Sequence, residues 1–152
     1  PLHIAIMNKK TELVQALLNA GADHNIRTNA GWTPLEEAIG SGHTEIVKIL
    51  ITAGANVNLS GSDGVTPLNV ATRYANTPIK IIEALVDAGA DPYAKDSEGN
   101  SPEKWAYRTA NQTNKILISL TFYIRLYRQC QQPQQEGREN QRGNKEVIRH
   151  PR

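Results

Sequence analysis

One cysteine, one methionine and one phenylalanine stand in a chain of 152 residues, and aromatic residues make up only 5%. A lone thiol, Cys130, cannot close a disulfide within the chain, so no cross-linked scaffold is available to it. No apolar run approaches the roughly 18 residues that a membrane helix needs; the longest, 116–124, is broken by Ser119 and Thr121. The signatures of catalysis are missing too: there is no glycine-rich phosphate loop, nucleophile elbow or paired-carboxylate motif. His3, His24 and His43 do not share a common interval, which argues against one metal cluster. No nearby His or Asp pattern points to an activated Cys130. The sequence therefore assigns no catalytic residue, no metal ligands and no cofactor. One cysteine leaves the compartment open, with the cytoplasm as the working expectation.

What the chain does contain is a repeated unit. Thr33-Pro34-Leu35-Glu36-Glu37-Ala38 is echoed by Pro1-Leu2-His3-Ile4-Ala5, Thr66-Pro67-Leu68-Asn69-Val70-Ala71 and Ser101-Pro102-Glu103-Lys104-Trp105-Ala106. The interval is about 33 residues, a period typical of stacked repeats. Each unit is a helix start, because a Thr or Ser hydroxyl can accept an unpaired first-turn N–H and the following proline has its φ preset for the first helical position. Gly21, Gly54 and Gly89 follow apolar runs such as 13–18 and supply helix stops, since glycine enters the left-handed conformation without steric penalty.

With these motifs in register, the chain resembles the ankyrin repeat family. The second repeat carries nearly the whole pattern, TPLEEAIGSGHTEIVKILITAGANVN over 33–58; the first matches through PLHIA and ELVQALLNAGADHN, and the third through TPLNVA and IIEALVDAGADPY. The resemblance implies an all-α helical solenoid with short β-hairpin loops, its repeats at about 1–33, 34–66 and 67–101, with a divergent terminal repeat over 102–130. The expected helices run over about 1–8, 11–20, 34–41 and 44–53, with Leu2, Ala5, Leu35, Ala38, Leu13, Val14, Leu17, Leu18, Ile46, Val47, Leu50 and Ile51 as core. His3 and His43 fall at family positions with structural roles. The chain begins at Pro1 without the motif's leading Thr, which fits numbering that starts inside a longer protein or a processed start.

Two departures stand out. Ala75 and Asn76 are additional in the third repeat, so that Thr77-Pro78 is expected to start its second helix and the local turn to bulge. In the fourth repeat, Ile118 stands where Glu83 does and Phe122, Tyr123, Ile124, Leu126 and Tyr127 prolong an apolar helix. An end repeat normally keeps a polar outer face. The expectation is that this helix caps its own stack; a partner or a second copy is the alternative cover. Residues 131–152 are polar, lack aromatics and read as a flexible basic tail.

Function by resemblance is non-enzymatic binding of another protein through the concave helix and hairpin surface, with upstream repeats of the same chain as a further candidate partner. The anchor candidates are Asn29, Trp32, Ser41, Val65, Arg73, Tyr74, Glu98, Asn100 and Arg108, all expected to be exposed, with Trp32 and Tyr74 weighted most because aromatics bury large areas. Asn25 and Asn58 close Gly-Ala-x-x-Asn runs that resemble the family's hydroxylation sites, and are candidate modification sites; a structural hydrogen bond within the loop is the competing reading. Residues 1–110 hold 9 Lys and Arg against 12 Asp and Glu, and residues 111–152 hold 8 against 3. The positive charge thus belongs to the tail, where contact with nucleic acid or a membrane surface is the lesser alternative. Self-association of the apolar last helix, giving an assembly or scaffold role, is another.

Overall fold

The computed structural model describes residues 1–61, 63–109 and 123–130. Its helices are α1 (Leu2–Met7), α2 (Thr11–Asn19), α3 (Pro34–Gly40), α4 (Thr44–Thr52), α5 (Pro67–Arg73), α6 (Ile79–Asp87) and α7 (Pro102–Thr109). A further helical run covers 123–130. The chain divides into units 1–120 and 121–152, and the stack belongs to the first.

The hydroxyl-proline starts work as helix caps. Thr33 is extended; its Oγ1 accepts the Glu36 N–H at 3.2 Å while the Glu36 carboxylate accepts the Thr33 N–H at 2.8 Å, so two first-turn donors are satisfied reciprocally. Thr66 Oγ1 accepts the Asn69 N–H and Ser101 Oγ the Lys104 N–H, both at 3.3 Å. The stops are equally regular. After α2, α4 and α6 the chain turns at Gly21, Gly54 and Gly89, with φ of 88°, 97° and 90°. In each case the glycine N–H and the next N–H return to helix carbonyls, as in Ala22 to Leu17 at 3.0 Å and Ala55 to Leu50 at 3.0 Å.

The helices form two rows. The first helices α1, α3, α5 and α7 pack on one another in sequence, α2, α4 and α6 do the same, and α1 packs on α2, α3 on α4 and α5 on α6. Small residues sit where first helices meet: Ala5, Ala38, Ala71 and Ala106 are each at most 2% exposed. Between the rows lie Leu35, Leu68, Ile46, Val47, Leu50, Ile81, Ile82 and Leu85, all buried.

Three details differ from the sequence expectation. Leu13 is 50% exposed, and Leu17, Leu18 and Ile51 are only partly buried. Leu13 holds the register of Ile46 and Ile81, which are covered by the second helix of the preceding repeat; among the described residues nothing equivalent lies before α2. Thr77-Pro78 does not act like Thr33-Pro34: Pro78 itself is the residue before α6, and the Thr77 hydroxyl is buried without a hydrogen bond among the described residues. The reason is the preceding insertion, which leaves Tyr74 extended (ψ 118°) and folds Thr77 N–H back to the Tyr74 carbonyl at 3.2 Å. Finally, no strand forms among the described residues. The loops expected as hairpins are tight fingers, each closed by one backbone bond across its base, of 2.9–3.0 Å (Thr28 to Trp32, Gly61 to Val65 and Asp96 to Asn100), with one further turn bond inside it (Gly31 to Thr28, Gly64 to Gly61 and Gly99 to Asp96). A single bond across the base, with the other inside the turn, makes no ladder. The expectation of a capping last helix rests largely on 110–122, and that of a flexible tail on 131–152, both outside the described residues.

Candidate functional site

The fingers are held in a row by contacts that span one repeat. Arg27 donates to the Gly31 carbonyl of its own finger at 3.3 Å and to the Ser60 carbonyl beside the next. The Ser97 N–H donates to the Asp63 carbonyl at 2.9 Å. Gly64, at φ 68°, sits so close that a Cβ would lie 3.2 Å from Ser97 N. Behind the fingers, Asn58 spans two repeats with both ends of its amide, accepting the Asp91 N–H at 2.8 Å and donating to the Gly89 carbonyl at 3.0 Å. Asn25 Oδ1 accepts the Asn56 N–H at 3.1 Å. Both candidate modification sites are therefore tied to the following repeat. His3 is a link of the same kind, its ring nitrogens facing the Glu37 carboxylate and the Ile26 carbonyl.

Between the first two fingers and α5 lies a cavity of about 100 Å³, lined by Trp32, Val65, Val70, Arg73 and Tyr74 among others. Trp32 lies over Gly40, whose added Cβ would meet its ring at 3.8 Å, and remains 37% exposed. Tyr74 is 45% exposed. A second cavity of about 290 Å³ continues from it between the second and third fingers, sharing Asp63, Val65 and Arg73 and adding Asp96, Ser97, Glu98 and Trp105. Here the guanidinium carbons of Arg73 and Arg108 stand 4.9 and 5.1 Å from the centroid of the Trp105 ring, within cation–π range.

Two carboxylates in this region have opposite electrostatic histories. Burial pushes the Glu36 carboxyl above its usual range, against the bonds from Thr33 and the charge of Arg27. Burial acts in the same sense on Asp96, yet the N–H groups of Asn100 and Glu98, the Asn100 amide and the Trp105 indole together hold it below the usual aspartate range. The Trp105 indole donates to Asp96 Oδ2 at 2.9 Å, and Oδ1 accepts from Asn100 N and Glu98 N at 2.8 and 3.0 Å. Asp96 thus fixes both the third finger and the Trp105 ring.

Of the anchor candidates, Trp32, Val65, Arg73 and Tyr74 share the first cavity and Glu98 lines the second; Arg108 lines neither, but its guanidinium stands over Trp105, which lines the second. Asn29 and Ser41 are exposed but line neither cavity. Asn100 is not the exposed position the sequence suggested: it is 3% exposed, its amide turned inward to Glu98 at 3.2 Å and to Asp96 at 3.5 Å. A short finger must satisfy its own polar groups, and Asn100 closes it. Sequence reasoning missed Trp105, Asp63 and Asp96. The available signal was Trp105 itself, a bulky aromatic in the helix register that Glu37 and Val70 occupy in earlier repeats. Among the described residues no group of three or more His, Cys, Asp or Glu is placed to hold a metal, and no helix is long and apolar enough to cross a membrane.

A stack of short helix pairs joined by turn-rich fingers, presenting a groove between fingers and first helices, is the architecture of a repeat protein. The family model for ankyrin repeats (3 copies) matches residues 2–120, and the chain belongs to the ankyrin repeat family. Ankyrin repeats generally mediate protein–protein interaction and are typically non-enzymatic. No curated protein searched matches the chain closely enough to count as a relative.

Proposed function

We propose that this chain is a non-enzymatic module that holds a protein partner in the groove between its fingers and its first helices. The observation that carries this reading is the convergence of Trp32, Val65, Arg73 and Tyr74 on one cavity, although they come from two fingers and the end of a helix. Two half-exposed aromatics on a scaffold tied from finger to finger give large contact area at small entropic loss. The domain reading that accompanies it takes 1–130 as the repeat domain and 131–152 as a polar basic tail.

A pull-down from the source extract with the intact chain, set beside a Trp32→Ala/Tyr74→Ala variant whose helicity is checked by circular dichroism, tests the assignment. Retention of a protein by the intact chain and its loss with the folded variant is the expected outcome. Equal retention by both places the binding surface elsewhere.

A further inference from the structure

We propose that Arg73 and Arg108 form a clamp for one carboxylate of the partner, and that an apolar side chain of the same extended segment fills the neighbouring cavity beside Trp32 and Tyr74. This deepens the groove reading and rests on it: the partner class becomes an acidic–apolar peptide segment.

Arg73 and Arg108 occupy the same register in successive repeats, each in the last turn of its helix. Both are exposed. Contact with the Trp105 ring restrains a guanidinium that still has N–H groups to donate, and a planar fork restrained in advance loses little freedom when a carboxylate arrives. Trp105 is itself anchored by its bond to Asp96. Two guanidinium groups near one ring repel each other, and a carboxylate shared between them lowers that repulsion. Among the described residues neither guanidinium has an ion-pair partner; the ion pairs there are His3 with Glu37 and Lys80 with Glu83.

The surroundings select a single carboxylate over a chain of phosphates. Asp63, Asp96 and Glu98 line the same cavity as Arg73, so a polyanion laid along it would meet three carboxylates. The apolar subsite adjoins directly, since Arg73, Val65 and Asp63 belong to both cavities. Its volume of about 100 Å³ is somewhat below the roughly 150 Å³ that admits benzene in an engineered core, which suits one aliphatic side chain. In an extended segment, residues two apart face the same side, so the acidic and apolar residues of the partner should be separated by one position.

The test is selection of a random displayed-peptide library on the full chain, followed by affinity measurement of the enriched peptide in synthetic form. Enriched sequences should carry Asp or Glu two positions from an aliphatic residue. Arg73→Glu/Arg108→Glu should weaken the peptide at least about tenfold, because hydrogen bonds to charged groups are lost and like charges face each other. Replacing the peptide's acid by its amide should weaken binding to the unaltered chain in the same direction, an arm that does not depend on the folding of a variant. No enrichment, enriched sequences without an acid, or equal affinity for the arginine variant overturns the clamp. Loss with Trp32→Ala/Tyr74→Ala but not with the arginine variant keeps the groove and removes the clamp; insensitivity to both removes both. Displacement of the peptide by an oligothymidylate strand at equal or lower concentration overturns the peptide assignment in favour of nucleic acid.

Discussion

Replacing Asp96 by asparagine alters one oxygen at the point where the third finger meets Trp105. Asparagine keeps a carbonyl oxygen for the Asn100 and Glu98 N–H groups, which Asp96 Oδ1 now serves at 2.8 and 3.0 Å. The other position becomes an NH₂, which faces the indole N–H that Asp96 Oδ2 accepts at 2.9 Å, so two donors oppose each other. A hydrogen bond to a charged group contributes about 1.5–3 kcal/mol, and near solvent the lower end applies. We expect a loss of about 1.5 kcal/mol, or about 5 °C in Tm for a chain of this size, together with a changed emission of Trp105 in a Trp32→Phe background. The pH dependence supplies a second readout. The Asp96 carboxyl is held below its ordinary value in the folded protein, so the unfolded chain takes up the proton first. Its contribution is complete above pH 3.8 and is lost as the pH falls through the lower folded value. Glu36, raised above 4.5 by burial, has the opposite sign: stability falls as the pH rises upward from 4.5. The difference between the denaturation curves of the two proteins from pH 6 to pH 2 isolates Asp96, and should shrink below about pH 4. Equal stability at neutral pH, with a difference curve flat across that interval, would refute the assignment of Asp96 as the residue that positions Trp105.

Other consequences are more local. Leu50, fully buried between the helix rows, should cost about 3 kcal/mol on replacement by alanine, read from urea denaturation. Lys9 has φ 54° and closes α1 in the way Gly42 closes α3; Lys9→Gly should stabilise the protein by about 1 kcal/mol by the same assay, since a residue with a Cβ is strained there. Asn58→Ala removes two bonds between repeats and should destabilise by about 1–2 kcal/mol. Hydrogen exchange at the Asp91 amide should rise in that variant more than at Ala55.

The helix starts, the glycine stops and the period were legible in the sequence because each depends on interactions spanning only a few residues. A Thr33 hydroxyl finds the Glu36 N–H wherever the rest of the chain lies, and Gly54 turns left-handed for reasons contained in its own backbone. Periodic motifs then brought the family into view, and with it the stacking order. The same local reasoning failed at Thr77, where an insertion upstream changed the path of the backbone before the proline was reached. It failed also at Asn100, whose type suits an exposed loop but whose amide closes a finger too short to leave it free.

The groove was decided by tertiary structure alone. Arg73, Trp105 and Arg108 come together because successive repeats stack in one register, bringing the ends of α5 and α7 side by side. Nothing in the spacing of a single repeat contains that neighbour. Leu13 shows the complementary case: its sequence register is that of Ile46 and Ile81, yet it is half exposed because burial belongs to the helix laid against it. Thus the sequence by itself determined the unit and how each copy begins and ends, through short-range backbone chemistry, whereas the set of side chains sharing a cavity or a core followed from how the copies pack.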